Sequence, residues 1–280
     1  MSSATVEVVE RVESVEQAAP TYHVPALEKG LDILECLAAQ GVPLTQAQLA
    51  RALGRGASEL FRMLTTLERR GYVQRDPISG AYGLTLRLYE LGHAHSPSQG
   101  LLRAAERPMR DLTEELRQSC HLSVIQRGRL LVLHQEESPA PIRLSVEVGG
   151  SFPLLHAVSG RLLLASLDEA RREETLRQDD DFAALTVTDQ TTMRERLALI
   201  RERGYDAARS ETIEGVSDLA VLVGGTVSRI QAALAIAAPV RHHETFVDEA
   251  LPALLRCADA TSRAAGLAND GRRTPDDGRS

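Results

Sequence analysis

The stretch from Arg55 to Arg75 concentrates side chains suited to reading nucleic acid. From Ala57 to Arg70 an apolar stripe recurs at Leu60, Met63, Leu64 and Leu67. Spacing of three and four residues marks one face of an α-helix. Off that stripe lie Ala57, Ser58, Glu59, Phe61, Arg62 and Thr65. Arg62 suits guanine or phosphate, Glu59 can accept from cytosine N4, and Phe61 offers an apolar contact to a thymine methyl. Ser58, at the helix start, can donate to a phosphate while the helix N-terminus supports the negative charge. Arg69, Arg70 and Arg75 are candidate contacts to the DNA backbone. The plain alternative is a solvated face, but an outward Phe beside an Arg calls for a partner.

These side chains need elements to hold them. Leu44, Leu49 and Leu53 recur at helical spacing, with Thr45 placed as a cap and Gly54 as a stop. Two short helices joined by a tight Gly-containing turn make a helix-turn-helix, whose second helix can enter the major groove. Val73 to Asp76 and Ala81 to Leu84 flank Pro77-Ile78-Ser79-Gly80, so a β-hairpin, or wing, follows. Ahead of them a helix runs from Pro25 through Leu27, Leu31, Leu34 and Leu37 to Gly41. Behind them Leu84 to Gly92 reads as a helix leaving the domain.

The run Ala26-Leu27-Glu28-Lys29-Gly30-Leu31-Asp32-Ile33-Leu34 resembles the opening helix of the IclR family of bacterial transcriptional regulators. Leu44 to Gly83 is similar to that family's winged helix-turn-helix, and the likeness continues through about residues 22–266. Arg55-Gly56-Ala57-Ser58 departs from the family's usual turn before the second helix; Ser58 alone matches.

Composition agrees with a folded, water-facing chain. It has 280 residues, 43% hydrophobic and 25% charged. No apolar run reaches the ~18 residues a membrane span needs. The first residues carry acids where a secretory signal needs bases, so a cytoplasmic protein is expected. Cys36, Cys120 and Cys257 are odd in number and far apart, which suggests neither a disulfide framework nor a zinc ribbon. The net charge of −7 is unevenly spread. Residues 1–20 hold net −3, whereas residues 21–88 hold eight Lys and Arg against six Asp and Glu, net +2. The segment proposed to meet phosphate is the only basic one. So small an excess implies more than one copy on an operator.

The second half reads differently. Leu101 to Arg117 is helical, with Pro108 expected to open a new helix. His121 to Gln126 and Arg129 to Gln135 are strand-like runs around Arg127-Gly128, and Ile142 to Val148 alternates as a third strand. Helices are expected at about 157–166, 168–177 and 189–203, the last capped by Asp189 and closed by Gly204. Leu219 to Val223 and Ile230 to Ala238 are further strands, and His242 to Ala265 is the closing helix.

Two stretches carry binding chemistry here. Pro153 to Arg161, containing His156, Val158, Ser159 and Gly160, opens a helix from a loop and offers free N–H groups to an anion. The resemblance implies that this stretch helps form an effector pocket. Gly160-Arg161 fits the family, whereas the frequent His falls at Leu155, one place before His156. The other stretch, Ser210 to Ala220, resembles the family's Glu-x-x-x-Gly-Val loop leading into a strand, with Asp218 where relatives often carry a small residue. Asp218 can meet a ligand amine or hydroxyl, or simply cap a turn. Ala235 and Ala237 stand where some relatives have pocket serines, which implies a larger or more apolar effector. Signatures of catalysis and of nucleotide binding are missing. His93-x-His95 and His242-His243 lack the clustered partners a zinc site needs. No cofactor is expected.

The expected fold is an N-terminal winged helix-turn-helix (three-helix bundle plus β-wing) joined by a helical linker to an α+β effector-binding domain with a mostly antiparallel sheet. Boundaries are expected at 22–88 for the DNA-binding domain, 89–104 for the linker and 105–268 for the effector-binding domain, between disordered tails at 1–21 and 269–280. The expected function is a sequence-specific regulator controlled by a small organic or aromatic acid, acting as a homodimer or dimer of dimers on double-stranded operator DNA. The alternative is a small hydrolase with an appended DNA-binding-like domain.

Overall fold

A computed structural model describes residues 23–94, 97–141, 143–210, 213–225, 230–239 and 242–267. The expected tails, and His95, Ile142, Glu211 and Thr212, lie outside the described residues. Two compact units divide after Ala94.

The first unit runs α1 (Pro25–Gln40), β1 (Leu44–Thr45), α2 (Gln46–Ala52), α3 (Ala57–Arg69), β2 (Val73–Arg75), β3 (Ala81–Leu84) and α4 (Arg87–Ala94). Ile33, Leu34 and Leu37 of α1 meet Leu49, Leu60, Leu64, Val73 and Tyr82 in one core. The expected α1 stripe is therefore only half buried: Leu27 and Leu31 stay 60% and 48% exposed. Thr45 caps α2 in a capping box with Gln48. Leu44, just ahead of the cap, pairs with Tyr82 in β1. The cap accounts for this, because Thr45 is extended as it accepts from the Gln48 N–H. Leu84 also differs. It ends β3 opposite Val73 and packs on the core, and the following helix starts only at Arg87.

The second unit runs α5 (Pro97–Leu116), β4 (Cys120–Gln126), β5 (Arg129–Glu136), β6 (Ser151–Phe152), α6 (Val158–Ser166), α7 (Glu169–Arg177), α8 (Asp180–Ala183), α9 (Val187–Arg203), β7 (Tyr205–Arg209), β8 (Val216–Val223), β9 (Ala232–Pro239) and α10 (His243–Ala264). Its six-stranded sheet has the order β6-β5-β4-β9-β8-β7, with every neighbouring pair antiparallel. Strand alternation sorts the two cores. Leu219, Val221 and Val223 of β8, with Leu234 and Ile236 of β9, pack against α5 and α10. Ala220, Leu222, Ala233 and Ala235 face the other way, into the cluster holding α6 and α9.

Three expectations in this unit need correction. Helix α5 runs unbroken through Pro108. Leu101, Ala105, Met109 and Leu112, all buried, hold it on the sheet and offset the lost backbone hydrogen bond. Residues 143–148 form no strand. The Gln135 side chain takes the place of the ladder there, accepting from the Val146 N–H at 2.5 Å and donating to Ser145 Oγ at 2.8 Å. Thr186, not Asp189, caps α9; it accepts from the Asp189 N–H, and Asp189 is the third helical residue.

Candidate functional sites

In the first unit α3 buries Leu60 and Leu64 and turns Ser58, Phe61, Arg62 and Thr65 outward. Phe61 is 53% exposed, an unusual setting for an aromatic ring. Arg62 and Arg70 have no ion-pair partner among the described residues. Glu59 is placed differently: its carboxylate pairs with Lys29 of α1, and that hydrogen bond holds it below the usual carboxylate range. Arg55, just before the helix, is spoken for by Asp32 at 2.7 Å. Thr65 donates its hydroxyl to Phe61 O at 2.9 Å, leaving its oxygen lone pairs outward. Arg75 lies 5.7 Å from the centre of the Tyr82 ring and donates to Gly80 O at 3.5 Å.

In the second unit, a cavity of about 400 Å³ opens beside the N-terminus of α6. Register explains its floor. His121 pairs with Ala235, Ala235 with Ala220, and Ala237 with Asp218, so β4, β9 and β8 present these residues along one sheet face. Leu130 and Val132 of β5 extend the floor. Segments 144–147 and 152–153 form one wall, Ser210, Ile213 and Val216 another, and 156–159 the roof. Of the residues singled out in sequence, His156, Val158, Ser159, Ser210, Asp218, Ala235 and Ala237 come together here.

Gly160 does not line the cavity. A Cβ on it would sit 2.1 Å from Leu154 O, so its work is to let α6 lie against the preceding loop. Arg161 is likewise withdrawn, 1% exposed, donating to Asp206 Oδ2 at 2.8 Å and to Leu155 O at 2.7 Å. Arg203 adds a second guanidinium to Asp206 at 2.6 Å. This buried cluster ties the roof loop to β7, a strand the sequence reading did not include.

The cavity's electrostatics are uneven. Its lining includes Glu147 and Asp218 but no Lys or Arg among the described residues. Burial raises the Asp218 pKa, opposed by a hydrogen bond from Ser210 and by the charges of Arg161 and His243. Burial holds the His121 imidazole at about 4, so the ring is neutral at pH 7. Its Nε2 lies 3.5 Å from Ser159 Oγ. His156 sits farther out, 3.6 Å from Asp181. Helix α6 has Ala157 at its N-cap and no side-chain cap among the described residues, which leaves its first N–H groups to the cavity. His121 was missed in sequence. Its signal was there: a polar residue beside Leu122 in an alternating strand, hence on the opposite face.

Residues 26–77 match the IclR helix-turn-helix domain, and residues 93–263 match the family described as bacterial transcriptional regulator IclR C-terminal. The chain is 30% identical over 195 residues to the HTH-type transcriptional regulator KdgR of Dickeya chrysanthemi. That alignment covers 69% of this chain but spans just under two thirds, 64%, of the relative's own length. Over 87% of its length the chain is 28% identical to the glycerol operon regulatory protein of Streptomyces griseus, covering 97% of that protein. Among solved structures, an IclR homologue from Microbacterium hydrocarbonoxydans complexed with 4-hydroxybenzoate superposes with a TM-score of 0.73 at 23% identity, covering 86% of this chain and 99% of that one. Among the described residues no helix is long and apolar enough to cross a membrane.

Proposed function

The chain belongs to the IclR family of bacterial transcriptional regulators, and from that premise we propose that its second unit binds a small organic monoacid that sets the operator affinity of the first. The observation carrying this reading is the cavity at α6, mostly apolar with a few convergent polar groups. The carboxylate of an aromatic acid accepts from the first N–H groups of α6 and from the Ser159 hydroxyl. The ring lies on Leu130, Val132, Ala235 and Ala237. Asp218 and Ser210 meet a hydroxyl at the far end, and Asp218 repels a second carboxylate. A relative of the same fold that holds 4-hydroxybenzoate supports this ligand class. Binding acts by linkage: the acid favours one of two arrangements of the protein, and operator affinity follows the population.

On the DNA side, Ser58, Phe61, Arg62 and Thr65 face the major groove, while Arg70 and Arg75 lie toward the backbone. A domain with net charge +2 falls short of the affinities of ~10⁻⁸ M or better typical of specific sites. Two copies on two half-sites supply the rest. The working form is therefore a homodimer or a dimer of dimers in the cytoplasm. Leu88 and Leu91 of α4 and Leu27 and Leu31 of α1, all exposed, supply its apolar surface. Leu84, read in sequence as the start of α4, is instead half-buried against the core and is not part of this surface. A hydrolase finds no support, since both matched domains belong to regulators.

The test is Ala235→Phe, which fills the floor. With a panel of aromatic and aliphatic acids, the wild-type protein should show ligand-dependent thermal stabilisation and altered operator binding. The variant should bind operator equally well without ligand and lose both responses. Full response in the variant would place the effector elsewhere.

A further inference from the structure

The cavity carries fixed charge of the wrong sign for an acid. Glu147 and Asp218 line it, and among the described residues no Lys or Arg does. Arg161 lies behind the roof, paired with Asp206 at 2.8 Å. The free N–H groups at the start of α6 offer hydrogen bonds and only part of a positive charge. An anion buried without a full counter-charge is costly. A cation must therefore form in place, by protonation of a group that lines the cavity. Two histidines qualify, His121 and His156. His156 is exposed and farther out, 3.6 Å from Asp181, where water and salt screen it. His121 faces the cavity from β4, between Gln135 of β5 and Ala235 of β9. Its Nε2 is 3.5 Å from Oγ of Ser159, which stands in the first turn of α6 beside the free N–H groups.

The neighbours of the ring leave it free to respond. β5 offers Leu130 and Val132, β9 offers Ala235 and Ala237, and the Gln135 side chain is turned to Ser145 and Val146. The acidic groups lining the same space are Asp218 of β8 and Glu147 of the wall, and Asp218 also feels the charges of Arg161 and His243. Without a ligand, burial holds the His121 ring neutral. A carboxylate at Ser159 reverses the balance, because an adjacent opposite charge favours the protonated ring. The imidazolium carries N–H on both nitrogens. Nε2 then donates to Ser159 Oγ, and the serine hydroxyl donates to the carboxylate. We propose that the effector enters as an anion accompanied by one proton and that His121 holds that proton, a step that rests on the acid-binding reading of this cavity. The complex carries one proton more than its separate parts, so binding tightens as pH falls while the acid itself stays ionised.

The experiment titrates the full chain with benzoate and 4-hydroxybenzoate by calorimetry at about pH 6, in buffers of different ionisation heat. The observed heat should rise with the ionisation heat of the buffer, with a slope approaching one proton taken up per site. Affinity should increase about fivefold between about pH 7.5 and about pH 5.5. His121→Asn should bind more weakly, with no uptake and little dependence on pH. Asp218→Asn and His156→Asn should keep the uptake. Its loss in either, with uptake intact in His121→Asn, puts the proton on that other group and overturns the proposal. Imidazole signals from isotope-labelled histidine give a readout on the unmutated chain. One ring should pass from neutral to charged on adding benzoate, and that signal should be missing from His121→Asn. No ring converted overturns the proposal whether or not the variant folds. Acid binding without proton uptake overturns it too, and leaves the acid-binding reading standing. Binding of neither acid removes that reading and the proposal with it.

Discussion

The two candidate sites are built in opposite ways. The proposed DNA face takes Ser58, Phe61, Arg62 and Thr65 from one helix, where a single period turns them all outward. The cavity takes its lining from β4, β5, β8, β9, the start of α6 and irregular segments between them. One site is local in sequence and open to water. The other exists only once the strands are in register. A local site therefore tolerates change around it, whereas an assembled one depends on groups that never touch its ligand.

Glycine gives the sharpest test of that contrast. Gly160→Ala would drive a Cβ to 2.1 Å from the Leu154 carbonyl oxygen, with backbone rather than a flexible side chain in the way. Denaturant unfolding should show a loss of about 3 kcal/mol or more. Gly56→Ala, at the N-cap of α3, meets nothing within 4 Å. It should cost less than about 1 kcal/mol. Equal losses would break the comparison.

The next effect separates the sites by pH. Burial keeps His121 unprotonated down to about 4, against an ordinary value of 6.5. The unfolded chain takes up that proton first, so stability rises as pH rises from about 4 to 6.5 and is lost on acidification through the same window. The upper limit is about 3 kcal/mol, reduced by the ring's remaining exposure to the cavity. His121→Gln should flatten this limb in urea titrations. Asp218 acts with the opposite sign: its raised pKa means that stability falls as pH climbs above 3.8. In the first unit, Glu59 and Asp76 are lowered from 4.5 and 3.8, so their contributions are fully present above those values and are lost as pH falls below them. A limb that survives His121→Gln would point to another group.

The smallest effect concerns the helix. Arg62→Ala should cost about 1–3 kcal/mol on the cognate operator and relax preference at one base pair. Arg70→Ala should weaken cognate and random DNA alike and shallow the salt dependence. A binding-site selection unchanged by Arg62→Ala would mean that another face of α3 reads the bases.

The same contrast governs what the sequence makes legible. Helix period and caps place α2 and α3, as Thr45 and Leu60 show, because both signals act within a few residues. Apolar spacing cannot say what covers a stripe, so Leu27 and Leu31 read as core although they lie outside it. Leu84 and residues 143–148 were misread where strand pairing or one side chain, Gln135, overrules local pattern. Among the cavity residues, Ser159, Ser210, Asp218, Ala235 and Ala237 were legible through family resemblance, and His121 was not, because its place depends on pairing with Ala235.

The alternation of β9 has a mechanical consequence. Ala235 faces the cavity, while its neighbours Leu234 and Ile236 are buried against α5 and α10. Alanine has no side chain long enough to yield, so a molecule pressing there loads the strand's backbone itself. A close-packed interior hardly compresses. The sheet then behaves as a diaphragm one strand thick: pressure on its cavity side appears as displacement on the other, and the helices resting there are the needle of the gauge.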